Sequence, residues 1–248
     1  MLEVKELCKS FGGIEVTRNV SLALEPGERR VILGPNGAGK TTLFNLLVGA
    51  LTPCGGDILI DGTSVRSLSV AERARRGLSR SYQKNNLFDD LTVRENLALA
   101  ASASQRKSHW MVRDSFSDKE VRDTVEEVAE LVALQDMLDA PVKNASYGNR
   151  RQLEVGLALA TRPRILLMDE PTSGVGPSMI QGFHHLLHKL PKDLTVLIIE
   201  HDMDLAFDVA DRITVLNFGE VVFEGTPDET RGNPIVRDIY LGDWQADA

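Results

Sequence analysis

The segment Gly34-Pro35-Asn36-Gly37-Ala38-Gly39-Lys40-Thr41-Thr42 gathers glycine, lysine and hydroxyl residues between two apolar runs, Val31-Ile32-Leu33 and Leu43–Val48. It matches G-x-x-x-x-G-K-[ST], the phosphate-binding P-loop. Glycines let successive backbone N–H groups converge on one anion with no Cβ in the way. The N-terminus of the following helix adds a positive dipole end. In this chemistry Lys40 supplies a mobile full charge for the β- and γ-phosphates, and Thr41 offers a hydroxyl to Mg²⁺. A second segment, Arg164-Ile165-Leu166-Leu167-Met168-Asp169-Glu170-Pro171, sets two carboxylates at the end of an apolar run. A P-loop protein needs an acid there to hold Mg²⁺ through its water shell, which suits Asp169. Glu170, one residue on, can polarise an attacking water as a general base.

The surrounding pattern predicts the elements that position these groups. Short strands are expected at Leu2–Leu7, Val16–Leu24 and Arg29–Leu33, punctuated by Gly12-Gly13 and Pro26-Gly27. Another pair is expected near Asp57–Ile60 and Thr63–Val65, turning at Asp61-Gly62. From about 85 to 147 the chain turns helical and charged. There Ser117-Asp118-Lys119-Glu120 reads as a capping box before a helix with Val121, Val125, Val128 and Val132 on one face. This region is expected to be an α-helical lobe inserted in an α/β core formed by 1–84 and 148–248. From Gly148 onward helix alternates with strand: Ile165–Met168, Pro177–Leu190, Thr195–Ile199, Met203–Val209. That alternation implies parallel strands joined by helical crossovers. A hairpin around Phe218-Gly219 follows.

Composition narrows the function classes. A formal net charge of −8 argues against a nucleic-acid partner. The longest apolar runs are too short to cross a bilayer, and the start does not read as a signal peptide. Two cysteines without metal spacing, Cys8 and Cys54, fit a reduced, cytoplasmic setting. A membrane role would then come through a partner.

Between the two phosphate-handling segments lies Ala145-Ser146-Tyr147-Gly148-Asn149-Arg150-Arg151-Gln152-Leu153-Glu154. Here the sequence resembles the ABC transporter ATPases, whose signature is roughly L-S-G-G-Q. Ser146 and Gly148 agree; Ala145, Tyr147 and Asn149 depart. A tyrosine at the second position is familiar in the branch that takes up branched-chain amino acids. Other elements follow in family order: Gln83 as the Q-loop residue that contacts Mg²⁺ and water, His201 as the switch histidine at the γ-phosphate, and Phe11 as the aromatic on adenine. In Ser173-Gly174-Val175-Gly176-Pro177, Gly176 stands where the family carries a polar side chain that crosses a dimer interface.

The resemblance covers nearly the whole chain and implies a single ABC-type ATP-binding domain: a P-loop NTPase core with an N-terminal antiparallel β-subdomain and an inserted α-helical lobe. It implies ATP hydrolysis with ATP and Mg²⁺. Glu170, His201 and Gln83 would be catalytic. Phe11, Gly34 through Thr42, Ser146 and Gly148 would hold nucleotide, and Thr41, Gln83 and Asp169 would face the metal. It further implies a head-to-tail dimer with a like or sister ATPase, in which Ser146–Gly148 of one subunit closes over the Lys40 loop of the other. Membrane permease subunits and, indirectly, a solute-binding protein complete the set, with the chain peripheral on the inner face of the cell membrane. The function implied is energising an importer of branched-chain or related amino acids. The alternatives are a urea or amide importer, a lipid or lipopolysaccharide exporter, and a soluble ABC protein without transport.

Three further features read as ordinary surface or packing. His184, His185 and His188 share one helix and read as an exposed face. Arg73, Arg75, Arg76 and Arg80 read as a solvated or partner-facing cluster, and Trp110-Met111 as packing.

Overall fold

The computed structural model describes residues 1–81, 87–104 and 118–244. Two compact units emerge: Met1–Arg76 with Lys192–Ala248, and Gly77–Pro191.

The first unit begins with β1 (Leu2–Phe11) and β2 (Ile14–Leu24), an antiparallel hairpin that β4 (Gly55–Ile60) and β5 (Thr63–Ser64) extend in the order β2-β1-β4-β5. Alternation of buried Leu2, Val4 and exposed Lys5, and of Leu22, Leu24 against exposed Ser21, Ala23, is the period-two pattern of a sheet with one packed face. Both N-terminal strands run longer than the sequence pattern suggests, because backbone pairing persists to Phe11 and Ile14 where side chains no longer pack. The unit's second sheet holds β3 (Arg29–Leu33), β8 (Thr195–Ile199) and β9 (Arg212–Asn217), with β3 parallel to both neighbours. β10 (Glu220–Gly225) closes it as the expected hairpin. Every residue of β8 is buried, as expected for a strand covered on both faces. Helix α1 (Lys40–Val48) follows β3, and α2 (Val70–Arg75) opens on a capping box from Ser69 to Glu72. Hydrogen bonds from Ser69 hold the Glu72 carboxyl below its ordinary range.

Arg73 overturns the expectation of a solvated basic cluster. It is 1% exposed, and its guanidinium donates to the carbonyls of Leu46 and Leu47 at 2.7 Å, and to those of Leu68 and Arg66. It therefore satisfies carbonyls at the C-terminal end of α1, the groups a helix leaves unpaired there. Arg75 and Arg76 are exposed, as expected.

In the second unit β6 (Leu78–Ser81) pairs in parallel with β7 (Ile165–Asp169), Leu78 opposite Ile165 and Ser81 opposite Met168. β6 carries a single aliphatic residue, so the sequence pattern did not announce it. Pairing with the fully buried β7 is what makes it a strand. Helices α3 (Val93–Ser104), α4 (Lys119–Leu131) and α5 (Tyr147–Ala160) pack together through Leu97, Val128, Val132 and Gly156. Gly156 is at this junction for space: a Cβ there would meet Leu97 at 3.2 Å. Asp118 caps α4, accepting from the Glu120 N–H at 2.9 Å. Ser117 and Trp110 lie outside the described residues. Helix α6 (Pro177–Lys189) buries Phe183, Leu186 and Leu187 and leaves His185 and His188 exposed, with His184 half-buried. Among the described residues no cluster of three potential metal ligands exists, and no helix is long and apolar enough to cross a membrane.

The chain returns to the first unit through α7 (Met203–Val209), α8 (Pro227–Gly232) and α9 (Pro234–Trp244).

Candidate functional site

The glycine loop joins β3 to α1, as its sequence predicts. Gly39 is the N-cap of α1 with φ +98°, and no side chain caps the helix. The first-turn N–H groups are thus left to an anion. Two glycines are required by close approach. A Cβ at Gly39 would meet the Val16 carbonyl at 2.6 Å, and one at Gly34 would meet the Leu216 carbonyl at 2.3 Å. Lys40, 7% exposed, folds across the loop and donates to the carbonyls of Gly34 at 2.5 Å and Pro35 at 3.1 Å. Its ammonium is thereby held inside the loop that phosphates would enter. Asn36, Gly37 and Thr41 are exposed, Pro35 and Thr42 half-buried, and Ala38 buried.

The loop rests on a part of the chain that sequence reasoning did not connect to it. The turn Phe218-Gly219 between β9 and β10 donates from the Gly219 N–H to the Ala38 carbonyl at 3.0 Å. Its own carbonyl accepts from the Arg18 N–H on β2 at 2.8 Å. A Cβ at Gly219 would meet the Val16 carbonyl at 2.6 Å. No local signal in Phe218-Gly219 beyond its turn type could have shown this. Phe11, at the end of β1, is 46% exposed, with Lys9 Nζ 5.1 Å from its ring centroid, so its ring is open for stacking rather than committed to the core.

His201 follows β8 and is 60% exposed. The preceding Glu200 is fully buried, and its carboxylate accepts from the His201 N–H at 3.1 Å and lies 3.7 Å from Nδ1. Glu200 thus holds the turn that presents the imidazole, a role the sequence did not mark. Asp202 caps α7 by accepting from the Leu205 N–H.

In the second unit Asp169 ends β7 with its side chain 1% exposed, and Arg80 of β6 contacts its carboxylate at 2.5 Å. Arg80, like Arg73, is therefore no part of a solvated cluster. Glu170 departs from the strand with φ +45°, a left-handed conformation that disfavours any residue with a Cβ. Strain of this kind persists only where surroundings enforce it. Here Arg151 does so: 4% exposed on α5, it donates from Nη2 to the carbonyls of Asp169 at 2.9 Å and Glu170 at 2.8 Å, and from Nε to that of Pro171 at 3.3 Å. Glu154 balances its charge at 2.8 Å. A cationic residue on the buried face of α5 was the available signal for this contact, and it was missed.

Ser146 is the N-cap of α5, accepting from the Asn149 N–H at 3.2 Å. A hydroxyl that accepts here keeps its own proton for an anion. Tyr147 is 61% exposed and donates to the Ser173 carbonyl at 3.4 Å, which ties the signature segment to the loop before α6. The Asn149 amide donates to Met137 Sδ. Gly174 has φ +74°, whereas Gly176 has an ordinary extended conformation and open space around its Cα. Gln83 lies outside the described residues.

A P-loop of this geometry, an acidic strand end and a capped signature helix define a P-loop NTPase fold. The sequence pattern of ABC transporters matches residues 17–173. The chain belongs to the ABC transporter family and is an ATPase subunit of that kind. It is 38% identical to the high-affinity branched-chain amino acid transport ATP-binding protein LivG of Escherichia coli and 37% to BraF of Pseudomonas aeruginosa, each over 98% of both chains. The lipopolysaccharide export ATP-binding protein LptB of Escherichia coli is 33% identical over 98% of this chain and 97% of its own. Among solved structures, the ADP conformation of the ATP-binding cassette MJ1267 superposes with a TM-score of 0.82 at 29% identity, covering 98% of both chains. The cassette MJ0796, in a dimeric post-hydrolysis state bound to ADP and phosphate, superposes with a TM-score of 0.77 at 27% identity over 92% of this chain and 99% of its own.

Proposed function

We propose that this chain hydrolyses ATP to energise an importer of branched-chain or related amino acids, working as a nucleotide-bridged dimer coupled to membrane permease subunits. The observation that carries the catalytic reading is Glu170: a carboxylate directly after a buried acid, held in a left-handed backbone conformation by Arg151. Positive φ alone is shared with six other described non-glycine residues, so the support comes from Arg151, which donates to the carbonyls of Asp169, Glu170 and Pro171 and fixes the course of the chain there.

Each residue takes the role that the resemblance to ABC ATPases gives it. The first-turn N–H groups of α1, Lys40 and the glycine backbone bind the phosphates. Phe11 stacks on adenine. Glu170 accepts a proton from the attacking water as the bond to the γ-phosphorus forms and that to ADP breaks. His201, presented by Glu200, donates to the γ-phosphate, and Gln83 orients water and metal. Ser146 and Gly148 face the γ-phosphate held by a partner subunit. The Thr41 hydroxyl and Asp169 carboxylate are hard oxygen donors that fit Mg²⁺. When bound, that ion neutralises charge on the transferring phosphoryl group.

We place the region from about 85 to 147 as the lobe facing the permease, and the chain at the inner face of the membrane with a solute-binding protein as an indirect partner. Identity to LivG and BraF, together with Tyr147 in the signature, favours amino acid uptake. Identity to LptB supports lipopolysaccharide export as the second reading. Co-purification from native membranes separates them: permease and solute-binding protein against lipid-export subunits.

The catalytic test is Glu170→Gln. Turnover should fall about 10²- to 10⁴-fold while binding of a fluorescent ATP analogue is retained. Undiminished turnover would remove Glu170 from the role of base.

A further inference from the structure

The acid that faces the metal already has a cation on it. Asp169 is at the end of a strand buried at every position, its side chain 1% exposed, and Arg80 reaches it from β6 at 2.5 Å with its own side chain 10% exposed. A carboxylate removed from water this far must be compensated by positive charge or give up its ionised state. Arg80 is supplied by the neighbouring strand: it pairs opposite Leu167, two residues before Asp169 in β7. The other buried arginine nearby, Arg151, gives its Nη2 to the main-chain carbonyl of Asp169. The Asp169 carboxylate is met by Arg80.

We propose that Arg80 is the resident counterion of Asp169 in the metal-free protein and that metal binding exchanges it away. The inference rests on the reading of Asp169 as the acid that faces Mg²⁺. A divalent ion brought to a carboxylate already paired with a guanidinium puts like charges side by side in a poorly screened site. Metal and arginine therefore compete. The ion pair fixes the direction of the Asp169 carboxylate, and it raises the Mg²⁺ concentration needed to fill the site. Arg80 thereby acts as a positioning residue that sets the metal requirement, distinct from any group that touches the reacting phosphate. Its position three residues before Gln83 puts this exchange on the chain segment that leads into the Q-loop.

The test uses the full chain and a fluorescent ATP analogue, with binding followed during a Mg²⁺ titration from a metal-chelated start. Electron paramagnetic resonance counts bound Mn²⁺ in parallel. Arg80→Met keeps the aliphatic stem and removes the charge. It should lower the half-saturating Mg²⁺ and Mn²⁺ concentrations about three- to tenfold. Arg80→Lys, a compact cation without the fork, should lower them less. An unchanged or increased metal requirement in both would overturn the proposal, because Arg80 would then be orienting Asp169 for the metal. If Arg80→Met does not fold, Arg80→Lys decides alone by the same criterion. Asp169→Asn separates the two levels of the argument. A raised metal requirement in that variant together with no effect at Arg80 sinks only the exchange. No change in Asp169→Asn removes the metal role of Asp169 itself.

Discussion

The glycine loop and the β7 turn do parallel jobs by opposite means. In the loop the groups proposed to meet phosphate are main-chain N–H groups, shaped by glycines that admit no Cβ and buttressed by the main chain of Val16, Leu216 and Gly219. At the turn the groups that matter are carboxylates, shaped by arginine side chains reaching in from β6 and α5. Backbone cradles are encoded locally and tolerate nothing larger than hydrogen at a few positions. A side-chain-held turn is encoded at a distance and depends on buried charge, which is costly to remove from one side only.

Substitutions on each side test that contrast. The largest effect should come from Lys40→Ala, which removes the loop's one full charge. ATP affinity should fall by tenfold or more, about 1.5–3 kcal/mol for a charged hydrogen-bonding group, read by calorimetric titration. Unchanged affinity would mean the backbone suffices alone.

Next is Arg151→Met. Three carbonyls lose a buried donor and Glu154 loses its partner, so unfolding free energy should drop by about 2–4 kcal/mol. Turnover should fall more than nucleotide affinity, because the left-handed Glu170 is released. A thermal melt alongside a kcat and KM measurement checks both, and a loss confined to KM would contradict the positioning role.

Gly39→Ala probes the other side. At φ +98° with a carbonyl 2.6 Å from the added Cβ, strain of about 1–3 kcal/mol is expected. Nucleotide binding should weaken with little change in the stability of the Gly77–Pro191 unit by hydrogen exchange.

The smallest effect belongs to an exposed pair within the Gly77–Pro191 unit. Arg94 holds the Asp139 carboxyl below its ordinary range, chiefly by a hydrogen bond at 2.8 Å. A depressed folded-state pKa stabilises the protein above the unfolded value and loses that contribution as pH falls through the folded one. Asp139→Asn should therefore flatten a slight loss of stability on acidification below about pH 4, measured by urea titration at several pH values. An unaltered pH profile would make the pair irrelevant.

How much of this was legible depends on where each signal resides. The strand–loop–helix of the P-loop, the fully buried strands β7 and β8, the hairpin at Phe218-Gly219 and the membership in the ABC family were all readable, because each is carried by contiguous residues with a period or a motif. β6 was not, since Leu-Ser-Arg-Ser has no period, and α2, α8 and α9 are too short or too mixed to stand out. The basic cluster was misread for a related reason. Charge counted along the chain says nothing of direction, and Arg73 points into the end of α1 while Arg80 points at Asp169. At the start of α4 the described cap is Asp118, which accepts from the Glu120 N–H.

Residue identity and order alone carried the chemistry on offer: a P-loop, an acidic pair, a signature segment, and their succession along the chain. Those follow from residue identity and short-range geometry, which the backbone enforces wherever such residues occur. Which groups hold which came from the folded arrangement. It set Gly219 under the loop, Glu200 behind His201, Arg151 behind Glu170 and Arg80 on Asp169. Such pairings form between residues far apart in sequence and are chosen by burial, because a charge or a carbonyl taken out of water must find a partner wherever the fold supplies one.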